Sequence, residues 1–490
     1  MAPTPEREYG LFIDGAMVEP ASGEVAELLE PATGEPLARC AMAGERDVDR
    51  AVEAARKTLE GAWGKTPPTE RSRLLHALAD AIAARRDELS ELETRNAGKP
   101  ISATKGEIAG AVDVLRYYAS ATASIAGTSS PFGSSLLFYS LKEPVGVCAQ
   151  IVPWNYPILM AGWKLAPALA AGCPVVLKPD PKTPLTALRV AELAAEVGFP
   201  AGAVNVLPAD GPTTGAYLVS HAGVDKVAFT GSTRTGAEVM RLCAGGIKRL
   251  TLELGGKSPN LVFADASLAD VVPASAWAVY ASAGQSCECR SRLLVERSVY
   301  DEVVAGIADC AGRVKVGDPL DPETQMGSLI SPAHRERVHG FVEQSRGEGA
   351  EVVAGGEVPG GKGAFYPPTV IAGVDNAMTV AQEEIFGPVV SVIAFEDEDD
   401  AVRIANDVRY GLFATVWTGD PARGHRLARA LKAGTVGINM PYTAFPGIPF
   451  GGYKQSGFGR ELALETLDLY LETKSVVVAT GTRPANPFGL

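Results

Sequence analysis

Val145-Gly146-Val147-Cys148-Ala149-Gln150-Ile151-Val152 reads as a strand, and the alternation it begins decides the fold class. Ile158 to Ala171 reads as a helix and Cys173-Pro174-Val175-Val176-Leu177-Lys178 as the next strand. A helix over Pro184 to Val197, a strand Val204-Asn205-Val206-Leu207, a helix over Thr213 to Ser220 and a strand Lys226-Val227-Ala228-Phe229-Thr230 keep the rhythm. A helix from Thr235 to Cys243 and a strand from Arg249 to Leu254 close it. Strands alternating with helices predict an α/β architecture, a parallel sheet with helices on its faces.

Upstream, Tyr9 to Glu19 reads as a hairpin turning at Asp14-Gly15, and Glu30 to Glu35 as a second turn. Asp47 to Leu59 has helical period and an acidic start, which suits a helix N-terminus. Thr69 to Asn96 reads as one long amphipathic helical stretch, with Leu74, Leu78, Ile82 and Leu89 on one face, and Lys105 to Ala126 as another. Beyond Gly255-Gly256 a second α/β region begins. It holds helices near Leu268 to Ala283 and Val299 to Arg313, and strands near Arg292 to Val295, Val389 to Phe395 and Phe413 to Trp417. Pro441 to Gly459 is rich in Gly, Pro and aromatic residues and is expected to form an ordered loop over a site. The β-branched run Lys474 to Val478 needs a pairing partner; Ser134 to Leu141 is the candidate, in this chain or a neighbour.

At 490 residues the chain is too long for one core, so two or three domains are expected. A net charge of −13 argues against a general nucleic-acid binder. The N-terminus is polar rather than a signal peptide, and the longest apolar run, near Leu159 to Leu177, is interrupted by Lys164 and two prolines, so no membrane span is expected. Seven cysteines without metal-ligand spacing imply a reducing, cytoplasmic setting and no metal site.

Two of those cysteines fall in Ala283-Gly284-Gln285-Ser286-Cys287-Glu288-Cys289-Arg290, between an apolar helix and a strand. A thiol at such a turn has a reachable sulfur, so Cys287 is the candidate nucleophile. Glu253 ends an apolar strand just before two glycines. Desolvation there should raise its pKa into the range of a general base, although a loop-capping carboxylate is the plainer reading. Asn155, held between Pro153 and Pro157, is presented rigidly as an amide donor or as a helix N-cap. Phe229-Thr230-Gly231-Ser232-Thr233 is a strand, a glycine turn and a helix start, which can seat a phosphate. Lys178 ends another strand, and Glu384 and Phe386 enter a further one.

Taken together, these segments resemble the aldehyde dehydrogenase superfamily over about residues 8 to 480. The resemblance rests on Pro153-Trp154-Asn155-Tyr156-Pro157, Lys178-Pro179, Phe229 to Thr233, Leu252 to Asn260, Gly284-Gln285-x-Cys287, Glu384 to Pro388 and Pro449 to Gly457, in that order. It implies Cys287 as nucleophile, Glu253 as general base, and Asn155 with the Cys287 N–H as oxyanion hole. It implies a Rossmann-like cofactor site for NAD(P), built from Ile151, Pro153, Trp154, Lys178, Asp180, Pro181, Phe229, Thr230, Gly231, Ser232, Leu254, Gly255, Glu384 and Phe386. Glu461 matches a second buried carboxylate assigned to proton relay. Tyr156, Met160, Trp163, Ser286, Glu288, Tyr442, Phe445 and Phe450 are the expected substrate-pocket residues.

The implied organisation is a dinucleotide-binding domain from residues 1–125 and 145–254, a catalytic domain from 255–455, and an oligomerisation arm from 126–144 and 456–490. A dimer or tetramer is expected, because an arm strand left alone would be an unpaired edge.

Two features depart from the pattern. Pro181 stands where many members carry a glutamate that disfavours NADP, with Asp180 before it and Lys182 after; NAD is expected, with NADP as the alternative. Lys178-Pro179-Asp180-Pro181 also looks like the wording of some benzaldehyde dehydrogenases, which implies a neutral apolar or aromatic aldehyde. Glu288 beside the nucleophile would repel carboxylate-bearing aldehydes if it pointed into the pocket. The rival readings are a coenzyme-A-acylating dehydrogenase, against which Glu253 argues, and a protein that kept this fold without turnover.

Overall fold

The structure, a computed structural model, describes residues 7–132, 135–441, 444–481 and 488. Two large sheets dominate it. The first has the strand order Gly457–Phe458, Arg249–Glu253, Lys226–Thr230, Cys148–Ile151, Val175–Lys178, Val204–Val206, Leu11–Ile13, Ala16–Val18. Its five central strands are parallel, and the Leu11–Ile13/Ala16–Val18 hairpin continues it antiparallel, turning at Asp14-Gly15. The second runs Glu351–Ala354, Thr369–Ala372, Val389–Phe395, Arg292–Glu296, Pro259–Val262, Phe413–Trp417, Thr435–Ile438, parallel except at its first pair.

Register sets the site. Ile151 lies beside Lys178 and Phe229, and Thr230 beside Glu253, so four strands of the first sheet end level with one another. The second sheet presents its other end: Cys287 precedes Arg292, and Glu384 to Phe386 precede Val389, each at a strand's amino end. Ligand sites of open parallel sheets gather beyond the strands' carboxyl ends, and here the second sheet's entry loops cover them.

Two helical expectations change. The stretch from Thr69 to Asn96 is two helices, Pro68–Ala84 and Arg86–Ala97. Arg85 leaves helical geometry at φ −112° and ψ 24°, and its side chain reaches Glu196. The break turns both apolar faces inward, so that Leu74, Leu78, Leu89 and Leu92 share one core. The helix expected to run to Ala283 stops at Tyr280.

The arm pairs within the chain. Leu471–Ala479 runs antiparallel to Leu136–Pro144, with Val476 opposite Tyr139, and Ser129–Phe132 is the third strand. Gly457–Phe458, expected in the arm, instead closes one edge of the first large sheet against Leu252 and Glu253. The Ile101–Ala121 and Pro157–Ala171 helices pack closely, since a Cβ on Gly162 would lie 3.3 Å from the Ala111 Cβ. Among the described residues no helix is long and apolar enough to cross a membrane.

Gly172 ends the Pro157–Ala171 helix at φ +92°, and a Cβ there would run into the Arg71 guanidinium. Left-handed backbone costs other residues about 1–2 kcal/mol. Gly172→Ala should therefore lower the urea midpoint by at least that equivalent, whereas Gly44→Ala, at a position with open space around it, should shift it less.

Candidate active site

The nucleophile loop begins with backbone that sequence alone does not announce. Ser282, Ala283 and Gly284 have φ of +52°, +53° and +69°. Two non-glycine residues in this region store strain, and such strain persists only when neighbours enforce it. Gln285 is the clamp: its Nε2 donates to Ser282 O at 3.2 Å, and its Oε1 accepts from Ile330 N at 2.9 Å. Gly284 fits because a Cβ would strike the Gly387 carbonyl. The turn leaves Cys287 half-buried, while Cys289 is buried with its thiol toward Val279 O. All seven cysteines are unpaired.

Glu253 stands at its strand's end, 3% exposed, with neither carboxylate oxygen in a hydrogen bond of good geometry. Burial, then the charge of Glu461, pushes its pKa up to about 8, with the neighbouring Cys287 thiol and Lys164 pulling the other way. Burial first, then the Glu253 carboxylate, pushes the Cys287 thiol well above its ordinary value. Glu461 pairs with Lys164 at 2.5 Å, and both are buried. A lone lysine inside the apolar Pro157–Ala171 helix was the sequence signal for that partner.

Asn155 Nδ2 donates to Gln285 O at 2.9 Å, joining the first sheet's loop to the nucleophile turn. The amide's second N–H remains. Behind it Lys99 donates to Asn155 O at 2.7 Å, pairs with Glu107, and stands 3.5 Å from the Tyr156 ring centre. Glu93 accepts from Ile158 N at 3.0 Å and from the Thr186 hydroxyl.

Further polar side chains collect at the neighbouring strand ends. Lys178 is buried, and its amine donates to the adjacent Pro179 O at 3.2 Å. Thr230 Oγ1 is buried without a hydrogen-bond partner. The helix after Gly231 starts at Thr233, two residues earlier than expected, because the Ser232 hydroxyl caps it by accepting from Thr235 N at 3.2 Å. Leu254 is buried and bonded to Ser456 O. Gly255 lies so close to the Glu384 carboxylate that a Cβ would overlap it. Glu384 accepts from Gly256 N at 3.1 Å, and burial raises its pKa to about 7. Phe386, at φ +60°, meets the Trp154 ring edge-on at 5.2 Å. His334 packs on the same tryptophan and hydrogen-bonds Phe386 O at 2.7 Å; burial lowers its pKa to about 4, so it is the neutral donor. Nothing in the sequence around His334 marks it. Ile151 and Pro153 are half-buried, and Asp180 accepts from Lys182 N at 3.0 Å across Pro181.

A cavity of about 710 Å³ lies against the nucleophile turn. Tyr156, Trp163, Ser286 and Glu288 line it. Met160 does not line it; its side chain is buried in the core. Phe450 is also core, edge-on to Trp163 at 5.2 Å. Phe445 is exposed while its neighbours Ala444 and Pro446 line the cavity, and Tyr442 lies outside the described residues. Glu288 does reach the cavity wall, but buried Arg290 pairs with it and also bonds Pro441 O, so its charge is compensated. Among the described residues no cluster of His, Cys, Asp or Glu could hold a metal.

A half-buried thiol and a desolvated carboxyl, near the strand ends and an apolar cavity, mark the candidate site of this α/β protein. Similarity to known proteins narrows that class. The profile of the Aldehyde dehydrogenase family matches residues 17–476. An Aspergillus niger aldehyde dehydrogenase is 42% identical over 472 residues, 96% of this chain and 95% of its own. An NAD+ complex of Bacillus cereus aldehyde dehydrogenase superposes with a TM-score of 0.95 at 45% identity, over 97% of both chains. Betaine aldehyde dehydrogenase from Staphylococcus aureus, with NAD+, gives a TM-score of 0.96 at 39% identity, over 98% of this chain and 97% of its own. The chain belongs to the aldehyde dehydrogenase family, oxidoreductases that act on aldehydes.

Because the Glu253 charge opposes ionisation of the thiol, Glu253→Gln should move the midpoint of Cys287 alkylation to lower pH. Iodoacetamide labelling read by peptide mass spectrometry across pH 6–10 checks this; a midpoint that rises would contradict the electrostatics.

Proposed function

We propose that this protein oxidises a neutral, apolar or aromatic aldehyde to its carboxylic acid, with NAD as hydride acceptor and Cys287 as nucleophile. The observation that carries this is the Cys287 thiol beside Glu253, a buried carboxyl that interacts with that thiol and has no other hydrogen-bond partner. Glu253 takes the thiol proton, and the sulfur adds to the aldehyde carbon to give a thiohemiacetal oxyanion. The second Asn155 N–H and the Cys287 backbone N–H hold that oxyanion. A bound nicotinamide would supply the acceptor for the hydride of the former aldehyde carbon, which would leave Cys287 holding a thioester. Glu253 then removes a proton from water as it attacks the thioester, which frees the acid and the thiol. A carboxyl with a pKa near 8 suits both proton transfers at neutral pH. Glu461 and Lys164 give Glu253 a charged neighbour through which its proton can pass onward.

The strand ends fit a dinucleotide. Lys178 and Thr230 offer buried polar atoms, Gly231 and Ser232 a helix start for phosphates, and Gly255 room for Glu384 to meet a ribose. Phe386 and Trp154 supply flat apolar faces for the nicotinamide half. The NAD+ complex of the Bacillus cereus relative supports the cofactor. Asp180 supports NAD over NADP, since a carboxylate at the Lys178 strand end would repel a 2′-phosphate. The residue ranges 1–125 with 145–254 and 255–455 then serve as cofactor and catalytic domains.

We further infer a homo-oligomer. The arm leaves Val477 65% exposed on its outer strand, beside an open edge. Seven unpaired thiols suit the cytoplasm.

Following reduced nicotinamide with benzaldehyde, phenylacetaldehyde and hexanal tests the reading; Cys287→Ala should give none. Asn155→Ala should lose about 10²–10³ in kcat while folding normally. Hydrolysis-limited turnover should rise as pH passes about 8, where Glu253 ionises, and Glu253→Gln should abolish that limb. Product analysis with and without coenzyme A should give the free acid in both cases. Asp180→Ala should lower KM for NADP more than for NAD; equal effects would remove Asp180 as the discriminator.

A further inference from the structure

Lys99 stands at a junction that leaves its backbone little freedom. Gly98 ends the Arg86–Ala97 helix in the left-handed region at φ +73°, and Pro100 caps the Ile101–Ala121 helix. A proline confines the residue before it to extended backbone. The Lys99 side chain runs inward and is 2% exposed. An ammonium has three N–H donors, and burying them unmet is costly. Here one donates to Asn155 O at 2.7 Å and one to the Glu107 carboxylate. The cation also lies 3.5 Å from the centre of the Tyr156 ring.

These contacts belong to a closed circuit of hydrogen bonds. Beside Lys99 in the chain, Gly98 O accepts from Ser328 N at 3.0 Å. Ser328 O accepts from Gln285 Nε2 at 3.4 Å, and Gln285 O accepts from Asn155 Nδ2 at 2.9 Å. The Lys99 bond to Asn155 O closes the ring. Asn155 is therefore held at both ends, its side-chain amide by Gln285 and its own carbonyl by Lys99, and both holds lead back to Ser328. The second hold matters for chemistry. An amide N–H keeps its aim only while the peptide that carries the side chain cannot rotate, and Gln285 alone leaves that peptide unheld. We propose that Lys99 is a positioning residue for aldehyde oxidation: it fixes the Asn155–Tyr156 peptide so that the free Asn155 N–H meets the oxyanion as it forms. This deepens the oxyanion role given to Asn155 and rests on it.

Removing Lys99 alone would strand the Glu107 carboxylate, so the test replaces both; an apolar pair in place of a buried ion pair is often neutral for stability. Lys99→Met/Glu107→Met, with Lys99→Leu/Glu107→Leu as a second pair, is made with and without Asn155→Ala. Each protein is assayed for thermal midpoint, KM for NAD, and kcat/KM with whichever of benzaldehyde, phenylacetaldehyde and hexanal the wild type oxidises fastest. With Asn155 present, the pair replacement should lower kcat/KM about 10- to 100-fold, the scale of a misplacement near 1 Å, and leave KM for NAD within about twofold. In the Asn155→Ala background it should lower kcat/KM by less than about twofold more, because the amide it positions is gone. A further tenfold loss in that background, or an unchanged kcat/KM in a folded variant that keeps Asn155, overturns the positioning role. Failure of both pairs to fold overturns it too, since Lys99 would then serve folding alone. Loss in Asn155→Ala with none in the pair variants removes Lys99 and leaves the oxyanion reading standing. An Asn155→Ala enzyme as active as wild type, or a wild type that oxidises none of the three aldehydes, removes both.

Discussion

A hydrogen bond of 2.9 Å from Asn155 Nδ2 to Gln285 O holds the two halves of the site in register. Asn155 belongs to the loop that leaves the first sheet; Gln285 belongs to the turn that enters the second. That tie works with the pairing of Pro259 and Arg292 in the second sheet, which draws the chain after Glu253 alongside the chain after Cys287. The tie is itself supported: Lys99 holds the Asn155 carbonyl, and Gln285 spends its own amide on Ser282 and Ile330. The left-handed residues Ser282 and Ala283 are the cost of reversing the chain so sharply, and the hydrogen bonds around them offset it.

Desolvation is the second organising force. Glu253, Glu93, Glu107, Lys99, Lys164 and Glu461 are all buried around the same helices. Unpaired charges in such a place cost several kcal/mol each. Most are therefore paired, as Glu461 with Lys164 and Glu107 with Lys99, or satisfied by polar neighbours, as Glu93 is. Glu253 is the exception: among the described residues it has no hydrogen-bond partner other than the Cys287 thiol, and its pKa rises accordingly. A group held near neutrality by burial can accept and release protons at physiological pH, which a surface glutamate cannot do efficiently.

Two regions of the site answer different needs. The strand ends offer polar atoms without protein partners and backbone close enough for a ligand to touch. The cavity offers aromatic faces and charges already cancelled within the wall. The strand ends and the cavity thus differ in chemistry, and Ser286 and Glu288, on either side of Cys287, line the cavity.

The sequence by itself determined the α/β alternation, that Lys178, Thr230 and Glu253 each end a strand, and that Cys287 lies in a turn between helix and strand. These come from local rules: runs of β-branched residues, helical period, and glycines where an element must stop. The resemblance of ordered motifs carried the family. Only the tertiary structure decided the rest. Lys164 and Glu461 are 297 residues apart, so no local pattern pairs them. The helix before the nucleophile ends at Tyr280 because contacts from Gly387 and Ile330 force the turn, not because of its own composition. Met160 and Trp163 sit one helical turn apart and both pack in the core, yet only Trp163 also borders the cavity; which one does so depends on the neighbouring helices. Glu288 was legible as a charge near the thiol, but its compensation by Arg290 depends on side-chain direction. Periodicity and punctuation are properties of the chain, whereas pairing, direction and empty space belong to the packed molecule.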